Sequence, residues 1–468
     1  MREAYSLSLG GRQMDLVTEL RNLLTDEQVT ANPTVLENHS RDESYHAPSL
    51  PDVVVFPKDK EDVRKVLQFA NDHGIPVVPF GLGTSLEGHV IPYKGGISLD
   101  FQMMNRILEV RPDDMLVRVQ PGVTRTQVNN ELKKFGLFFS VDPGADATLG
   151  GMAATNASGT TAVRYGVMRD QVRDLEVVLA DGRVIRTGGL AAKSSSGYHL
   201  TGLFVGSEGT LGVFTELTLR VYGIPEAILA ARAVFPTVKN AVDAAVAIRS
   251  TGIPVARVEL VDARSIRQVN SHSKTHYPEM PTLFLEFHGN EDGLKRDVAS
   301  ARELAMDQGC LAFEFETDSK ARSQLWEARH NLAYAFIHGF PGKKQMVTDV
   351  CVPLTELPGA VEYARELLND AGMEGGVLGH VGDGNFHVIM MVNPGDRADL
   401  HRAESLNEKI VEYAISRGGT CTGEHGVGVG KAKYQRREHG DALAVMHSFK
   451  QVLDPKGILN PGKIFSVE

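Results

Sequence analysis

The sequence predicts an α+β protein of at least two domains, and three observations support this prediction. The chain has 468 residues, which exceeds the size at which one hydrophobic core stops growing. Short β-branched runs alternate with helical patterns in both halves of the chain. Three glycine-rich clusters separate these runs in the first half, which is typical of a domain whose backbone binds an extended ligand.

Composition and charge narrow the classes of function. Hydrophobic residues make up 42% of the chain and charged residues 23%, as in ordinary globular proteins. The net charge of −10 argues against nucleic acid or an anionic membrane as a partner. Cys310, Cys351 and Cys421 are far apart and odd in number, which favours a reducing compartment without disulfides. We expect no targeting peptide and no transmembrane segment, and therefore a cytoplasmic protein.

The first elements predict an N-terminal arm followed by a strand–helix–strand unit. Apolar residues recur with a helical period between Met14 and Leu24, and a polar segment follows. Residues 59–73 have a capped helical pattern that ends at Gly74. Strands are expected at 53–56, 77–79, 97–99 and 116–119.

The glycine-rich clusters contain few side chains that could build a core. The first, at 79–88, follows a strand and leaves N–H groups free for phosphate oxygens, with a plain turn as the alternative. It is not the dinucleotide fingerprint, because no helical pattern follows it. The second is a small-residue run at 142–159, and the third, at 206–212, precedes a strand at 213–221. Together they indicate a large, phosphate-bearing cofactor that lies against the backbone.

Two stretches nearer the C-terminus predict a metal site with an adjacent base. His380 and His387 flank a glycine-rich turn, so both imidazoles can point into one space. With Glu424 they form a three-ligand set for a catalytic divalent cation. His425 comes next in the chain, and histidine suits proton abstraction near neutral pH. The alternative for each histidine is a hydrogen-bonded structural role.

Arg329 is the candidate carboxylate-binding residue. It lies within the apolar stripe of a helix predicted over 320–338. A buried guanidinium needs an anion, and its planar fork can hold a carboxylate through two hydrogen bonds. The alternatives are a structural ion pair with Glu327 or Asp349, or a side chain that extends to water.

Several motifs, in their order along the chain, resemble a known family. They are the three glycine clusters, Arg164-Tyr-Gly166, Leu325-Trp-Glu-Ala-Arg-His330, Thr348-Asp-Val-Cys-Val-Pro353, the 380–387 stretch, Thr422-Gly-Glu-His-Gly426 and Asn460-Pro-Gly-Lys463. The first four resemble the FAD-binding domain of vanillyl-alcohol-oxidase-type flavoproteins. The whole set is similar to FAD-dependent D-lactate dehydrogenases of the cytochrome-linked type, over nearly the whole chain. The sequence departs from that pattern in lacking a transit peptide and in having His89, where glycine is commoner.

The resemblance implies a two-subdomain PCMH-type FAD-binding domain plus a ferredoxin-like α+β cap domain. It divides the chain into an N-terminal arm (1–45), the FAD-binding domain (46–222), the cap or substrate domain with the metal site (223–417) and a C-terminal segment that returns to the FAD domain (418–468). The cap pattern agrees with this, because strands and helices alternate with returning strands. Its strands are expected at 229–235, 255–260, 283–287 and 311–316, and its helices at 238–250 and 294–308.

The cofactor implied by the resemblance is FAD. Amides of residues 81–85 would hold the pyrophosphate, and the remaining assignments follow from the resemblance alone. Because His89 stands after the glycine loop, we expect FAD to be bound without a covalent bond. The expected FAD-binding residues are Gly81, Gly83, Thr84, Ser85, Pro143, Thr148, Gly151, Thr155, Ser158, Gly159, Glu208, Gly212, Val213 and Asn460.

The activity implied is oxidation of a D-2-hydroxy acid, D-lactate to pyruvate first among them, by hydride transfer to the flavin. His425 would be the base, and Zn, Mn or Fe on the three ligands would stabilise the forming alkoxide. Arg329, His425, Lys344 and Asn385 would bind the substrate. Electrons would pass to an external acceptor, which is a cytochrome, a quinone or an electron-transfer flavoprotein.

Other interpretations remain open at this point. An FAD enzyme with the same fold could act on D-2-hydroxyglutarate or glycolate. A metal-dependent hydrolase is an alternative from another class, as is a non-redox relative or binding module that uses flavin structurally. A homodimer and a peripheral position at the inner membrane are also compatible with the sequence.

Overall fold

The computed structural model describes residues 8–9, 12–13, 15–316 and 318–465. The start of the first predicted helix, at Met14, lies outside these ranges, and so do most of the residues behind the expectation of no targeting peptide. The strands are β1 (Ser8–Leu9), β2 (Arg12–Gln13), β3 (Val29–Thr30), β4 (Val53–Val55), β5 (Val77–Phe80), β6 (Ile97–Asp100), β7 (Ile107–Arg111), β8 (Leu116–Val119), β9 (Leu137–Phe138), β10 (Val172–Val178), β11 (Val184–Arg186), β12 (Val213–Arg220), β13 (Tyr222–Gly223), β14 (Ala227–Val234), β15 (Val255–Val261), β16 (Thr282–Gly289), β17 (Ala312–Glu316), β18 (Lys344–Val347), β19 (Val350–Cys351), β20 (Gly375–Gly379) and β21 (Asn385–Val392). The α-helices are α1 (Leu16–Leu23), α2 (Pro33–Asn38), α3 (Lys60–His73), α4 (Arg125–Leu132), α5 (Leu149–Thr155), α6 (Ala162–Tyr165), α7 (Met168–Gln171), α8 (Leu200–Phe204), α9 (Val238–Ser250), α10 (Ala263–Ser273), α11 (Glu291–Asp307), α12 (Ser319–His330), α13 (Leu332–Gly339), α14 (Leu357–Asp370), α15 (Arg397–Ser416), α16 (Gln435–His439) and α17 (Ala442–Leu453).

A small sheet with the order β3-β4-β6-β5 begins the first domain. Strands β4, β6 and β5 are parallel, and α3 makes the crossover between β4 and β5. Asp59 caps α3, which ends at Gly74 with a left-handed φ of 66°, as its local sequence predicts. The predicted N-terminal arm contributes β3 to the sheet edge, so this part of the arm belongs to the first domain.

A second, antiparallel sheet with the order β11-β10-β12-β8-β7 completes the first domain. The small-residue run at 142–159 packs against this sheet and contains α5, which the sequence did not predict. Thr148 caps that helix through its side chain, and Leu149, Met152 and Ala153 are buried. The run therefore combines backbone exposed to a cavity with a short helix anchored in the core.

The cap domain is built on one long antiparallel sheet. Its first four strands have the order β17-β14-β16-β15, which is the ferredoxin-like order, with α9 and α11 packed on one face. The predicted strands and helices of this unit are all present. The sheet continues through β20, β21 and β18, and this extension and helix α10 were not predicted. His380 and His387 lie in this extension, at the turn between β20 and β21 and on β21 itself.

The helix predicted over 320–338 is two helices, α12 and α13. They meet at Asn331, whose ψ of 4° lies outside the helical range. The helical hydrogen-bond ladder is interrupted there, so Arg329 lies in the last turn of α12.

The C-terminal segment returns to the first domain. Leu459 pairs in parallel with Val77 of β5, and Asn460 donates from Nδ2 to the carbonyl oxygens of His89 (3.0 Å) and Glu208 (2.7 Å). Across the described ranges, none of the helices has the length and apolar character needed to cross a bilayer. The domain boundaries themselves stay predictions.

Candidate functional site

A cavity of about 400 Å³ joins the glycine clusters of the first domain to the histidines of the cap. It is also long enough to touch the C-terminal segment at Asn460. All expected FAD-binding residues except Gly159 line it, namely Gly81, Gly83, Thr84, Ser85, Pro143, Thr148, Gly151, Thr155, Ser158, Glu208, Gly212, Val213 and Asn460. The structure thus brings together residues that are far apart in sequence.

The first glycine cluster presents unused backbone donors to this cavity. No described group accepts a hydrogen bond from the backbone N–H of residues 82–86. Gly83 has a left-handed φ of 68°, and a Cβ on Gly81 would lie 2.5 Å from Thr148 Oγ1. Unpartnered amides beside a cavity suit phosphate oxygens. The residues therefore fit the pyrophosphate of FAD.

Gly159 has a different place. A Cβ at this position would lie 2.5 Å from the carbonyl carbon of Asp142. Asp142 lines the cavity, and its carboxylate accepts hydrogen bonds from Thr160 Oγ1 (2.5 Å) and Thr161 N (3.0 Å). Gly159 allows this close packing of the second glycine cluster and does not itself face the cavity.

The three predicted metal ligands converge on one point. Glu424 Oε1 lies 3.0 Å from Nε2 of His380 and 3.2 Å from Nε2 of His387. The three side chains are largely buried, and their ligand atoms all lie within 4.8 Å of one another. The other ring nitrogens are occupied, because Nδ1 of His387 lies 3.1 Å from the carbonyl oxygen of Thr348 and Nδ1 of His380 lies 2.6 Å from Glu259 Oε1. This leaves Nε2 of both rings for a metal, as is usual for ligating histidines.

The charges around these ligands are compatible with a bound cation. Burial alone would lower the pKa of His380, but Glu259 and Glu424 raise it well above the usual value. Burial alone would raise the pKa of Glu424, but His380 and His387 hold it well below the usual value. His380 thus lies between two buried carboxylates, with Glu259 at Nδ1 and Glu424 at Nε2. A divalent cation can replace the proton between Nε2 and Glu424 while Nδ1–H still donates to Glu259, so the donor set fits such an ion.

Asp349 organises the loop that carries Glu424 and His425. Its Oδ2 accepts hydrogen bonds from the backbone N–H of Glu424 (2.9 Å) and His425 (2.8 Å) and from Thr422 Oγ1 (2.8 Å). Asp349 also lies near His387 and His425, in an arrangement that could hold a metal ion. Since its oxygens already accept several hydrogen bonds, we assign it a structural role rather than that of a ligand.

His425 faces the cavity beside the metal ligands. Its Nδ1 is buried, without a hydrogen-bond partner among the described residues, and lies 3.9 Å from Asp349 Oδ2. Its ring stacks on that of His387, with centroids 5.0 Å apart. Burial lowers the pKa of His425, although Asp349 opposes this. The lowered pKa favours the neutral form of the His425 imidazole.

Arg329 lines the cavity and is 7% exposed. Its Nη2 donates to Glu259 Oε2 at 2.6 Å, and its Nε is buried without a partner among the described residues. Neither of the ion pairs expected as alternatives forms; the partner is Glu259, on the central strand β15. The Glu259 carboxylate thus fixes the guanidinium, whose remaining N–H groups can still donate to a second carboxylate.

Two expected substrate-binding residues lie elsewhere. Lys344 is exposed and absent from the cavity wall. Because side chains alternate along a strand, it is the next residue, Gln345, that faces the cavity. Asn385 is buried and donates from Nδ2 to Asp349 Oδ1 (2.8 Å) and to the carbonyl oxygen of Val350 (2.9 Å). It supports Asp349 and does not line the cavity.

Comparison with known proteins decides the family. Residues 51–188 match the FAD binding domain, and residues 224–464 match the C-terminal domain of FAD linked oxidases. The probable mitochondrial D-lactate dehydrogenase of Danio rerio is 44% identical over 97% of this chain and 92% of its own length. The chain belongs to the FAD-linked oxidase family.

Other relatives and a solved structure agree with this. The mitochondrial cytochrome D-lactate dehydrogenase of Arabidopsis thaliana is 42% identical to this FAD-linked oxidase, over 96% of the chain and 80% of the relative. Glycolate oxidase subunit GlcD of Bacillus subtilis is 33% identical over 92% of each. The structure of p-cresol methylhydroxylase superposes with a TM-score of 0.79 at 20% identity and covers 96% of each chain, which confirms the predicted PCMH-type fold.

The comparisons confirm the enzyme class read from the motifs. This FAD-linked oxidase is an FAD-dependent oxidoreductase, and the cofactor-binding role of the three glycine clusters stays a prediction. Some relatives carry the word mitochondrial in their names. The cytoplasmic location, the metal and a homodimer of this oxidase stay predictions.

Sequence reasoning missed Glu259 as a site residue of this oxidase. Its side chain is fully buried, and it joins Arg329 to His380. A signal was present, because Arg257 and Glu259 interrupt the apolar strand at 255–261, and a buried charge needs a partner. The pattern did not show which residues those partners are.

Proposed function

We propose that this protein oxidises a D-2-hydroxy acid to the 2-oxo acid, with D-lactate as its first substrate, using FAD, a divalent metal and His425 as base. The observation that carries the proposal is that a single cavity brings the glycine clusters together with His425, Arg329 and the three metal-ligand candidates. The D-lactate dehydrogenases among the relatives support the substrate class.

Arg329 binds the substrate carboxylate. Its bond to Glu259 fixes the plane of the guanidinium, and a fixed fork loses little freedom when a carboxylate binds. Among the described residues that line the cavity, Arg329 is the single Lys or Arg. One strong cation suits one carboxylate. This favours a monocarboxylate such as lactate or glycolate over 2-hydroxyglutarate.

His425 takes the hydroxyl proton at Nε2. The ring nitrogen nearer Asp349 is Nδ1, and the carboxylate favours the tautomer with its proton there. The lone pair of Nε2 then remains available on the side of Glu424, whose Oε1 lies 3.8 Å away. Proton transfer to a positioned side chain contributes about 10²–10⁴-fold to a rate.

The cofactors supply the remaining chemistry. FAD supplies the hydride acceptor, and a divalent Zn, Mn or Fe ion supplies a Lewis acid for the substrate hydroxyl. On the protein side, His380 and His387 present Nε2 because Glu259 and the Thr348 carbonyl hold their other nitrogens. An external cytochrome, quinone or electron-transfer flavoprotein then removes the electrons.

Apolar residues close the substrate end of the cavity. Leu378, Ile389 and Val347 line it together with Ile337. Such walls exclude water from the reacting centre and strengthen the electrostatic contacts made there. These apolar walls also suit lactate, which has a methyl group, better than glycolate, which has none. Glycolate, which the relative GlcD suggests, is therefore the second candidate. The FAD-binding families leave the hydrolase alternative without support.

Anaerobic mixing with a panel of D- and L-2-hydroxy acids tests the proposal. We expect D-lactate to bleach the flavin absorbance and L-lactate and D-2-hydroxyglutarate to do so far more slowly. Bleaching should disappear after dialysis against a chelator and return with added Mn²⁺ or Zn²⁺, while FAD stays bound. If none of the hydroxy acids reduced the flavin, the proposed substrate class would be wrong.

A further inference from the structure

The loop that carries Glu424 and His425 is rich in glycine. Gly426 and Gly428 have left-handed φ values of 84° and 49°, and Gly423 and Gly430 lie on either side of them. Glycine loses more conformational freedom on ordering than any other residue. Fixing two functional side chains on such a loop therefore requires contacts from outside it.

One set of contacts comes from the cap domain. Asp349 accepts the backbone N–H groups of Glu424 and His425 and the hydroxyl of Thr422. These bonds hold the first half of the loop. They do not reach the residues that follow His425.

The other set comes from the FAD-binding domain, through Glu208. Its Oε1 accepts a hydrogen bond from Val427 N (2.6 Å), and its Oε2 accepts one from Gly428 N (2.9 Å). Both oxygens of this buried carboxylate are thus used on the second half of the loop. Hydrogen bonds to a charged acceptor are about twice as strong as neutral ones.

Glu208 is itself held firmly. Its φ of 53° is unusual for a residue other than glycine. Its backbone N–H donates to the carbonyl oxygen of Ala154 (2.8 Å), and its own carbonyl oxygen accepts a hydrogen bond from Asn460 Nδ2 (2.7 Å). The second glycine cluster and the C-terminal segment therefore hold the backbone of Glu208 from which the carboxylate projects.

The loop also packs tightly on this carboxylate. A Cβ on Gly426 would lie 2.9 Å from Glu208 Oε1 and 2.6 Å from His89 Nε2. His89 Nε2 in turn lies 3.3 Å from Glu208 Oε1. Glycine at 426 allows this close approach, which places the residue after His425 directly against the FAD-binding domain.

We propose that Glu208 is a positioning residue, which holds His425 and Glu424 in register with the FAD-binding domain, rather than a ligand of the cofactor. The loop is then fixed from both sides, by Asp349 of the cap and by Glu208 of the FAD-binding domain. A displacement of about 1 Å in such a site can lower a rate about 10²-fold. This inference rests on the function proposed above, in which His425 is the base.

Hydrogen–deuterium exchange of the FAD-loaded protein tests the positioning without any substrate. Glu208→Gln replaces one acceptor oxygen with an NH₂ group, and we expect the amides of Val427 and Gly428 to exchange at least about tenfold faster. Glu176→Gln is the matched control, because Glu176 is a buried carboxylate of the same domain that accepts from Thr215 Oγ1 (2.9 Å) and lies outside the cavity wall. Equal exchange in both variants would overturn the proposal, whatever the substrate of the enzyme is.

Anaerobic stopped-flow measurement tests the consequence for catalysis. We expect Glu208→Gln to slow flavin reduction about 10²-fold, with KM changed far less and with FAD and metal contents equal to those of the unmodified protein. Glu208→Asp keeps the charge and should recover part of the rate, which also provides a second variant if Glu208→Gln folds poorly. Loss of FAD in proportion to activity would overturn the proposal by making Glu208 a cofactor ligand. So would an unchanged rate in Glu208→Gln.

Discussion

Arg329 donates a hydrogen bond from Nη2 to Oε2 of Glu259 across 2.6 Å, and neither side chain is more than 8% exposed. The other oxygen of the same carboxylate lies 2.6 Å from Nδ1 of His380. One buried carboxylate therefore orients both the proposed substrate-binding residue and a proposed metal ligand. A substitution that disturbs substrate binding by Arg329 is therefore expected to affect metal binding by His380, and the reverse, because Glu259 contacts both.

Replacing Glu259 with Gln should reduce both stability and metal binding. The substitution leaves the Arg329 guanidinium buried without its anion, and breaking a buried ion pair costs about 3–5 kcal/mol. Loss of the carboxylate behind His380 should weaken metal affinity about 10–100-fold. Urea unfolding and metal analysis measure the two effects. Glu37→Gln is the control, because Glu37 pairs with Arg41 and both side chains are more than half exposed, and we expect it to change neither quantity appreciably.

His425 and His380 should be separable by mutation. His425→Ala should abolish flavin reduction while FAD and metal are retained, because the base is lost and the ligands remain. His380→Ala should also abolish flavin reduction, but in this variant the metal is lost too. Single-turnover reduction, flavin absorbance and metal content distinguish the two outcomes, with His401→Ala, an exposed residue of α15, as the control. Reduction of His425→Ala at the unmodified rate would show that another group takes the proton.

Arg329→Lys should chiefly impair substrate binding. Lysine keeps the charge but offers a point donor in place of a planar fork, and it cannot contact Glu259 and a substrate carboxylate in the same geometry. We expect KM for D-lactate to rise by about one to two orders of magnitude, in line with the loss of a hydrogen bond to a charged group. Steady-state kinetics at saturating electron acceptor measures this. An unchanged KM would assign the substrate carboxylate to a different residue.

The flavin should be released by acid. His89 is 4% exposed and lines the cavity, but it follows the glycine loop proposed to hold the phosphates, and its Nε2 faces Glu208. Precipitation with trichloroacetic acid should therefore give a colourless pellet and a yellow supernatant. A pellet that stayed yellow would show a covalent bond, and the variant His89→Ala would then identify its attachment point.

Local signals predicted much of the fold and the site. The Asp59 cap and Gly74 gave the bounds of α3 to within one residue, because both act within a single turn. Glycine-flanked motifs likewise singled out His380, His387 and Glu424, which the structure brings together, and their role as metal ligands stays a prediction. The predicted ferredoxin-like order also holds, since it follows from the order of strands and helices along the chain.

The sequence could not predict contacts between residues that are far apart along the chain, or which face of a strand points into the cavity. Glu259 lies 70 residues from Arg329 and 121 from His380, and no local pattern connects them. Lys344 was expected in the cavity, but its neighbour Gln345 lies there, because a shift of one residue along a strand moves a side chain to the opposite face of the sheet. The break at Asn331 depends on how two helices pack beside the cavity. These features are decided by tertiary contacts, and the resemblance to a family did not provide them.

The return of the C-terminal segment has a consequence for biosynthesis. Val77 N donates to the carbonyl oxygen of Ile458 (2.8 Å), and Asn460 N donates to that of Val77 (2.8 Å), so the strand that leads into the first glycine cluster is completed by residues that are synthesised only after the whole cap domain. Domains otherwise tend to fold in the order of their synthesis. Here the first domain is completed only after the cap domain has been synthesised, and we therefore expect loading of the flavin to follow translation of the cap.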